Sequence, residues 1–295
     1  MVERAPRPEP APGEALVRVE AAAITPAELT WSDTWSDAAG KSRTPTIPSH
    51  ELAGRVFALG PGVDDLRLGE RVYGLIDFDR NGAAAEFVSV PAGALAPAPR
   101  TVDAVTAAAA PLAGLTAWQA LYTHGRVRAG QRVLIHGGAG GVGMFLVQLA
   151  RDAGAYVITT VRAHDMEFVR NLGAHKAIDH NAFRFEAAIT PVDLVIDVVG
   201  GETLARSFDV IAPGGTILSL VERPSPVLAR AHNVRADFFL VEPNRQQLVE
   251  LAHRIDTGRL RIEVDRVFPL TEARRAFEYA LGVHHRGKIV LEVFL

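Results

Sequence analysis

One short stretch constrains the fold of this chain more than any other. Residues 131–143, QRVLIHGGAGGVG, run from an apolar segment typical of a buried β-strand into the pattern Gly138-x-Gly140-x-x-Gly143. A segment with helical character follows over 142–153, and a second β-like run comes after it. Strand, glycine loop, helix and strand in this order indicate a dinucleotide-binding βαβ unit, whereas the glycine pattern alone is weak evidence. The alternative is a turn whose glycines are only structural.

The glycines of this loop have separate expected roles in holding a pyrophosphate. We expect Gly138 to allow the tight turn, Gly140 to let the backbone approach the phosphates, and Gly143 to let helix and strand pack closely. The phosphates would lie against N–H groups at the positive end of the helix. The predicted cofactor-binding loop comprises Gly138, Ala139, Gly140, Gly141, Val142 and Gly143.

The end of the second strand indicates which dinucleotide binds. An NAD site places an acid about 20 residues beyond the glycines, where it binds the ribose 2′-hydroxyl. Here the strand ends near Thr160, and Arg162 follows. A planar guanidinium suits a 2′-phosphate because it can bind two oxygens at once. Asp165 is a competing acid, but it falls where the next helix should begin and is better explained as an N-cap. The residues therefore favour NADPH.

The remainder of the chain divides by texture around this unit. Before residue 102, short alternating β-like runs separated by glycine-, proline- and asparagine-containing turns predict a small β-barrel or folded sheet. From about residue 102, helical stretches alternate with short apolar strands, which predicts a parallel sheet. After about residue 260 the pattern returns to strand, helix and strand.

Composition and charge exclude several classes of function. With 295 residues, the chain is long enough for two domains, and its formal net charge of −3 offers no basic surface for a nucleic acid or an anionic membrane. No apolar run reaches the roughly 18 residues of a membrane helix, and residues 1–12 lack the apolar core of a signal peptide. We therefore expect a cytoplasmic protein. Because the chain has no cysteine, disulfides and zinc sites built on thiolates are excluded.

Five further motifs lie outside the glycine loop. They are ITPAE at 24–28, PSHELAG at 48–54, PLAGLTAWQA at 111–120, DLVIDVVGG at 193–201 and RGKIVL at 286–291. Together they resemble the medium-chain dehydrogenase/reductase superfamily, in particular its zinc-free quinone reductases, over nearly the whole chain. The resemblance implies an α/β protein with a GroES-like β-barrel catalytic domain over 1–101 and 262–295. A Rossmann domain with a doubly wound parallel sheet, residues 102–261, would interrupt it.

The resemblance also bears on the catalytic site. Zinc-dependent relatives carry a cysteine at the position of Thr25, which implies that the catalytic metal is absent here. His50 matches a zinc-ligand histidine of those relatives, but one histidine beside Glu51 makes a poor tetrahedral site without a thiolate. We expect a structural or substrate-side role for His50. Thr25 is the candidate catalytic residue, as a weak proton donor, with water, Glu28 or Tyr73 as alternatives.

Other candidate cofactor contacts come from positions that match the family or lie at strand ends. They are Thr116, Thr160, Arg162, His164, His180, Gly200, Ser219 and Val241. The resemblance places Thr116 at the nicotinamide end, and His180 where quinone reductases often have a tyrosine near the adenosine phosphate. Gly200, Ser219 and Val241 would lie at the carboxyl ends of Rossmann strands, where ligands bind in parallel sheets. For each of these, core packing or an ordinary surface position is the alternative.

The expected function is NADPH-dependent reduction of a small electrophile, a quinone or an α,β-unsaturated carbonyl, without a metal. Such acceptors need little activation because the anion formed is delocalised, and the cofactor supplies the hydride. A nucleotide-binding redox sensor or structural protein with little turnover is the alternative. A dehydrogenase acting in the alcohol-oxidising direction is a third possibility, but it would require a metal.

Assembly is predicted from an apolar β-like run near the end of the parallel sheet, residues 238–241. An exposed apolar edge strand is an aggregation hazard unless something covers it. Pairing with a second copy would cover it, which predicts a homodimer with a twofold interface. The alternative is a strand inside the sheet.

Overall fold

The computed structural model describes residues 3–36 and 39–293. The chain groups into two compact units, Met1–Leu115 with Glu242–Leu295, and Thr116–Val241. This division differs from the domain bounds expected from sequence at residues 102–115 and 242–261, which group with the first unit. The reason lies in packing, since the helices of these two segments contact strands of the first unit.

The strands fall into two sheets, one in each unit. In chain order they are β1 (Glu14–Ile24), β2 (Glu51–Leu59), β3 (Arg71–Leu75), β4 (Phe87–Pro91), β5 (Leu95–Pro97), β6 (Arg132–His136), β7 (Tyr156–Val161), β8 (Lys176–Asp179), β9 (Val192–Asp197), β10 (Ile211–Ser219), β11 (Arg235–Phe238), β12 (Val264–Pro269) and β13 (Lys288–Glu292).

The helices are short and pack on the sheets. They are α1 (Ser32–Trp35), α2 (Ala104–Ala108), α3 (Pro111–Trp118), α4 (Gly143–Asp152), α5 (Met166–Leu172), α6 (Phe185–Ala188), α7 (Gly201–Ser207), α8 (Pro226–Ala231), α9 (Arg245–Asp256) and α10 (Ala273–Gly282). A π-helical turn, Gln119–His124, continues α3. In the described part of the chain, every helix is too short or too polar to cross a lipid bilayer.

The first unit is built on a seven-stranded sheet in the order β12-β13-β1-β2-β3-β5, with β4 paired to β1. All pairs are antiparallel except β12 with β13. Strand β1 has three partners, β2, β4 and β13, because its two halves pair with different neighbours. Its alternating residues Ala15, Val17 and Val19 are buried in the core cluster of this sheet. The folded sheet expected from the alternating pattern is confirmed.

The second unit holds six parallel strands in the order β11-β10-β9-β6-β7-β8. Strand β6 lies between β7 and β9, so the chain first builds the sheet in one direction and then returns to build it in the other. The central strands are apolar and buried on both faces, as parallel strands covered by helices must be. The doubly wound parallel sheet that the resemblance implies is confirmed. Its order reverses beside β6, at the strand end that carries the glycine loop.

The edge strand of this sheet differs from the sequence prediction. The strand expected at 238–241 lies at Arg235–Phe238 instead, because β11 pairs with β10 by placing Phe238 opposite Ser219. It is nevertheless an edge strand. Residues 213–215, Pro-Gly-Gly, lie inside β10. They coincide with a shift of register against β9, so the proline and glycines form an irregularity in the strand.

Candidate cofactor and catalytic sites

The turn from β6 into the glycine loop depends on Gly137 and Gly138. Gly137 adopts φ +75°, so the left-handed conformation of the tight turn belongs to Gly137 and not, as expected, to Gly138. The N–H groups of both glycines donate to the Thr160 carbonyl, at 3.1 and 3.3 Å. A side chain on Gly138 would overlap Thr159, whose Cβ would lie 3.0 Å from the added carbon. Gly138 is therefore required by the close approach of β7.

The remaining glycines of the loop differ in their surroundings: Gly143 is tightly packed, whereas Gly140 faces open space. A side chain on Gly143 would overlap the Gly137 carbonyl and lie 2.7 Å from the Gly138 Cα, so Gly143 permits close packing of helix and loop as expected. An added carbon on Gly140 would meet only the Gly137 carbonyl, at an ordinary 3.5 Å. The first α4 bond back to the loop runs from Met144 N–H to Gly140 O (3.0 Å), leaving the preceding N–H groups outside the helix ladder. The residues here fit a pyrophosphate.

The Thr160 side chain holds the strand that precedes the loop. The Ser207 hydroxyl donates to the Thr203 carbonyl (2.8 Å), so its oxygen accepts from His136 Nε2 (3.0 Å). His136 Nδ1 then accepts from the Thr160 hydroxyl, 3.0 Å away. Burial, helped by the Arg206 charge, lowers the pKa of His136 to about 3, which keeps the ring neutral as this pattern requires. The Thr160 hydroxyl proton is thus committed to His136, and its role as a cofactor contact stays a prediction.

Arg162 and Asp165 differ sharply in exposure at the end of β7. Arg162 directly follows the strand and is exposed, and no described residue forms an ion pair or side-chain hydrogen bond with its guanidinium. Asp165 occupies the N-cap position of α5, as expected, but its side chain makes no capping hydrogen bond. Its carboxylate is fully buried, 3.4 Å from Nε2 of the exposed His164. The guanidinium faces solvent, whereas the competing carboxylate is enclosed by protein.

A second cluster lies at the carboxyl ends of β9 and β10. The buried Asp197 carboxylate accepts the N–H groups of Val199 (3.1 Å) and Gly200 (2.8 Å). Ser219 is the last residue of β10, as predicted, whereas Gly200 lies three residues beyond β9 as the N-cap residue of α7. The Ser219 hydroxyl accepts the N–H of Glu222 at 3.3 Å. Burial raises the pKa of Asp197, although these N–H donors oppose the shift. Sequence reasoning passed over Asp197, whose signal was a single acid at the end of an apolar strand.

The other candidates of this unit have mixed positions. Thr116 lies on α3 and is buried. His180 is exposed directly after β8. Val241 does not lie at a strand end, because β11 already finishes at Phe238, and this part of the prediction is wrong.

In the first unit, Thr25 belongs to a network with a buried ion pair. Lys288 Nζ donates to the Thr25 hydroxyl oxygen (3.3 Å) and to the Ile24 carbonyl (3.2 Å). The same ammonium forms an ion pair with Glu51, and both side chains are almost fully buried. The second oxygen of Glu51 accepts the Leu112 N–H at 3.0 Å. Burial raises the pKa of Glu51, although Lys288 opposes the shift. Sequence reasoning missed this role of Lys288, whose signal was a lysine inside an apolar strand.

His50 is enclosed by hydrogen bonds. Its Nδ1 lies 2.9 Å from a carboxylate oxygen of the buried Glu28, which also accepts the Ser49 N–H at 2.9 Å. Nε2 faces the Arg80 carbonyl at 3.3 Å and must donate to it, since a carbonyl only accepts. Both ring nitrogens are therefore engaged by protein groups. Tyr73 is also fully buried, and its hydroxyl bonds the Leu248 carbonyl; burial raises the pKa of Tyr73, so it is a poor proton donor.

These features define a class of protein. The chain combines a doubly wound parallel sheet that carries a glycine loop with a separate folded β-sheet unit. This architecture is typical of nicotinamide-dependent oxidoreductases. The family model described as alcohol dehydrogenase GroES-like domain matches residues 11–100, and the one described as zinc-binding dehydrogenase matches residues 172–291.

Known proteins match the chain over nearly its whole length. The structure of the quinone oxidoreductase from Coxiella burnetii superposes with a TM-score of 0.91 at 34% identity, covering 98% of this chain and 93% of that one. A probable zinc-binding oxidoreductase, mitochondrial, of Arthroderma benhamiae is 33% identical over 97% of this chain and 92% of its own length. An NADPH-dependent alkenal/one oxidoreductase, chloroplastic, of Arabidopsis thaliana is 31% identical over 96% of this chain and 73% of its own length.

The chain belongs to the quinone oxidoreductase-like family of the medium-chain dehydrogenase/reductase superfamily. The GroES-like assignment of the first unit is confirmed with it. The names of the two relatives refer to organelles, so the cytoplasmic location expected from sequence stays a prediction.

Proposed function

We propose that the protein uses NADPH to reduce a quinone or an α,β-unsaturated carbonyl compound, without a metal. The observation that carries this proposal is the exposed guanidinium of Arg162, which directly follows β7 in the same sheet as the glycine loop. That position is where a dinucleotide-binding fold meets the adenosine ribose. The name of the Arabidopsis relative, an NADPH-dependent alkenal/one oxidoreductase, agrees with the cofactor and with the acceptor class.

The choice of NADPH over NADH rests on which charged side chain, Arg162 or Asp165, is accessible to the cofactor. Arg162 makes no ion pair with the described residues, so its full charge is available to a 2′-phosphate. Asp165 is completely buried, which removes the carboxylate that would otherwise bind the two ribose hydroxyls of NADH. The loop Gly138–Gly143 would hold the pyrophosphate. Ser219 ends β10, and Gly200 begins the helix after β9, the strand beside β6 in the sheet. Thr116 remains our candidate for the nicotinamide end.

The residues at the position of the zinc site in relatives support metal independence. The chain has no cysteine. His50 uses Nδ1 for Glu28 and Nε2 for the Arg80 carbonyl, so a cation would have to displace one of these bonds. The residues do not fit a tetrahedral zinc site, although one matching family model is described as zinc-binding. Activity should survive exhaustive chelation, and elemental analysis should find no stoichiometric zinc. Loss of turnover on chelation, restored by zinc, would contradict this assignment.

The chemistry assigned to the chain is orientation and proton donation. When bound, the nicotinamide supplies the hydride. The substrate accepts this hydride at carbon, and its negative charge spreads over the conjugated carbonyl. Thr25, which is half-buried, then donates a proton from its hydroxyl, for which no described residue is an acceptor. An electron-poor acceptor suits this site because the proton is its main catalytic contribution.

The direct test measures NADPH oxidation with 1,4-benzoquinone and 2-cyclohexenone as acceptors, beside a titration of NADPH binding. Turnover that is retained in Thr25→Ser but falls about a hundredfold in Thr25→Val would support the proposal, since a positioned proton donor contributes on that order. Binding of NADPH with no consumption by any acceptor would favour the nucleotide-binding sensor instead.

We also propose a homodimer formed through the edge of the parallel sheet. β11 lies at that edge, and Phe238 on it is half-buried. Beyond the strand, Phe239 stacks on His124, with 4.2 Å between ring centroids, and Leu240 is 62% exposed. Symmetric strand pairing with a second copy would satisfy the backbone groups of the edge and cover these side chains.

A further inference from the structure

We propose that Lys288 is a positioning residue that directs the hydroxyl proton of Thr25 toward the substrate. The inference rests on the proposed function and deepens it, because it explains how a weak donor becomes effective. Lys288 lies at the first residue of β13, in the register that brings β13 beside the end of β1. Its ammonium reaches the last residue of β1 and the residue after it.

The hydrogens of the ammonium can be counted. Lys288 Nζ has three hydrogens; it donates to the Ile24 carbonyl at 3.2 Å and to the Thr25 hydroxyl oxygen at 3.3 Å, and it forms an ion pair with the Glu51 carboxylate. An ammonium only donates, so the Thr25 oxygen must act as acceptor in this pair. The Thr25 hydroxyl hydrogen is therefore turned away from Lys288, and no described residue accepts it. The network leaves a donor with a defined direction.

The charges around Lys288 keep it in place. Glu51 balances the ammonium, and its other oxygen is fixed by the Leu112 N–H at 3.0 Å. A second buried acid, Glu28, raises the pKa of Glu51 further and itself pairs with His50. Lys288 is 6% exposed, so its charge is screened little by solvent, which strengthens its effect on a neighbouring oxygen.

Thr25 delivers the proton, which Lys288 and then solvent replace. The substrate takes a hydride at its β-carbon, forming a C–H bond, and the electron pair of its double bond moves to give an enolate. The Thr25 O–H bond breaks and its proton joins the enolate, leaving an alkoxide. Lys288 gives one N–H proton to that alkoxide and becomes a neutral amine, which solvent reprotonates. The substrate is reduced by two electrons, the nicotinamide is oxidised by two, and one proton is taken from water.

The experiment compares kcat and solvent deuterium isotope effects with 2-cyclohexenone, together with the Kd for NADPH from nicotinamide fluorescence. Lys288→Met with Glu51→Gln removes both charges together, while the glutamine oxygen can still accept the Leu112 N–H. Lys288→Arg, which keeps the charge, is the second variant if the first does not fold. Lys176→Met is the matched control, because Lys176 is another strand lysine whose ammonium donates to a backbone carbonyl.

We expect the double variant to lower kcat by about 10- to 100-fold, as loss of a positioned proton donor does. Its solvent isotope effect should rise, and its Kd for NADPH should stay within twofold. Lys288→Arg should retain part of kcat and slow proton delivery, because a guanidinium holds the hydrogen bond but does not release its proton. In a Thr25→Val background, changing Lys288 should not lower kcat further, since both residues act in one step. The control should leave the isotope effect unchanged.

Three results would overturn the inference, and they can be told apart. A Lys288 variant with unchanged isotope effects and a much weaker Kd for NADPH would assign this residue to the cofactor instead. An unmodified protein that consumes no NADPH with either acceptor would refute the proposed function itself, and the positioning role with it. Additive losses of kcat in the Thr25→Val background would also refute a shared step.

Discussion

Two glycines of one loop should respond in opposite ways to the same added methyl group. At Gly138, a new side chain would overlap Thr159, which is fully buried and whose hydroxyl donates to the Ile135 carbonyl at 2.7 Å. At Gly140, it would make one ordinary contact at 3.5 Å on the open side of the loop. Gly138→Ala should therefore damage folding, whereas Gly140→Ala should damage only nucleotide binding.

The magnitudes follow from these contacts. Overpacking a buried position costs about 1–3 kcal/mol, and displacing Thr159 from its hydrogen bond adds about 1 kcal/mol. For a unit of this size, Gly138→Ala should lower Tm by roughly 5–15 °C. Gly140→Ala should leave Tm unchanged without cofactor, because nothing in the protein moves. It should weaken NADPH binding about 10- to 100-fold by blocking one or two hydrogen bonds to the charged phosphates.

Thermal unfolding of both variants without nucleotide, and titration of NADPH by fluorescence, test the pair directly. Both changes replace glycine by alanine in the same loop, so each variant is the control for the other. Equal losses of Tm would refute the reasoning, and so would a Gly140→Ala variant that binds NADPH as tightly as the unmodified protein.

Three further outcomes are expected. Arg162→Ala should reduce a clear preference for NADPH over NADH by about 10-fold or more through loss of a charge-assisted bond; similar affinities of the unmodified protein for both cofactors would contradict the assignment. The pKa of His136 is depressed to about 3 in the folded protein, so its stabilising contribution is complete above pH 6.5 and is lost as pH falls toward 3. Urea unfolding should show about 1 kcal/mol less stability at pH 5.5 than at pH 7.5 from this group, and His136→Gln should flatten the difference. Phe238→Asp should shift a homodimer toward monomer or aggregate, and a monomeric mass by light scattering across micromolar concentrations would exclude the dimer.

The parts of the fold that the sequence predicted well are those where one local pattern decides the structure. The strand, glycine loop, helix and strand predicted around residues 131–160 are present as β6, the loop, α4 and β7, because buried parallel strands read as short apolar runs between clear turns. Strand β11 was displaced by three residues. An edge strand takes its bounds from its register with a neighbour, and no local pattern encodes that register.

The network of Thr25, Lys288 and Glu51 could not be predicted from the sequence for a similar reason. Thr25 and Lys288 lie 263 residues apart, and Glu51 accepts a bond from a residue 61 positions away. Only the pairing of β1 with β13 brings the first two together. Gly137 was missed because the GxGxxG pattern begins one residue later, whereas the left-handed turn is required where the strand ends.

The pairing of β1 with β13 also orders events during synthesis. Ile24 pairs with Ile289, so β1 gains this neighbouring strand only after 265 further residues have been synthesised. Until residue 292 has been synthesised, the second half of β1 lacks β13, one of its two neighbouring strands, and Lys288 cannot neutralise Glu51. All six strands of the parallel sheet are complete by residue 238. The parallel sheet can therefore form before the sheet that contains β1, because that sheet needs β13, which is synthesised later.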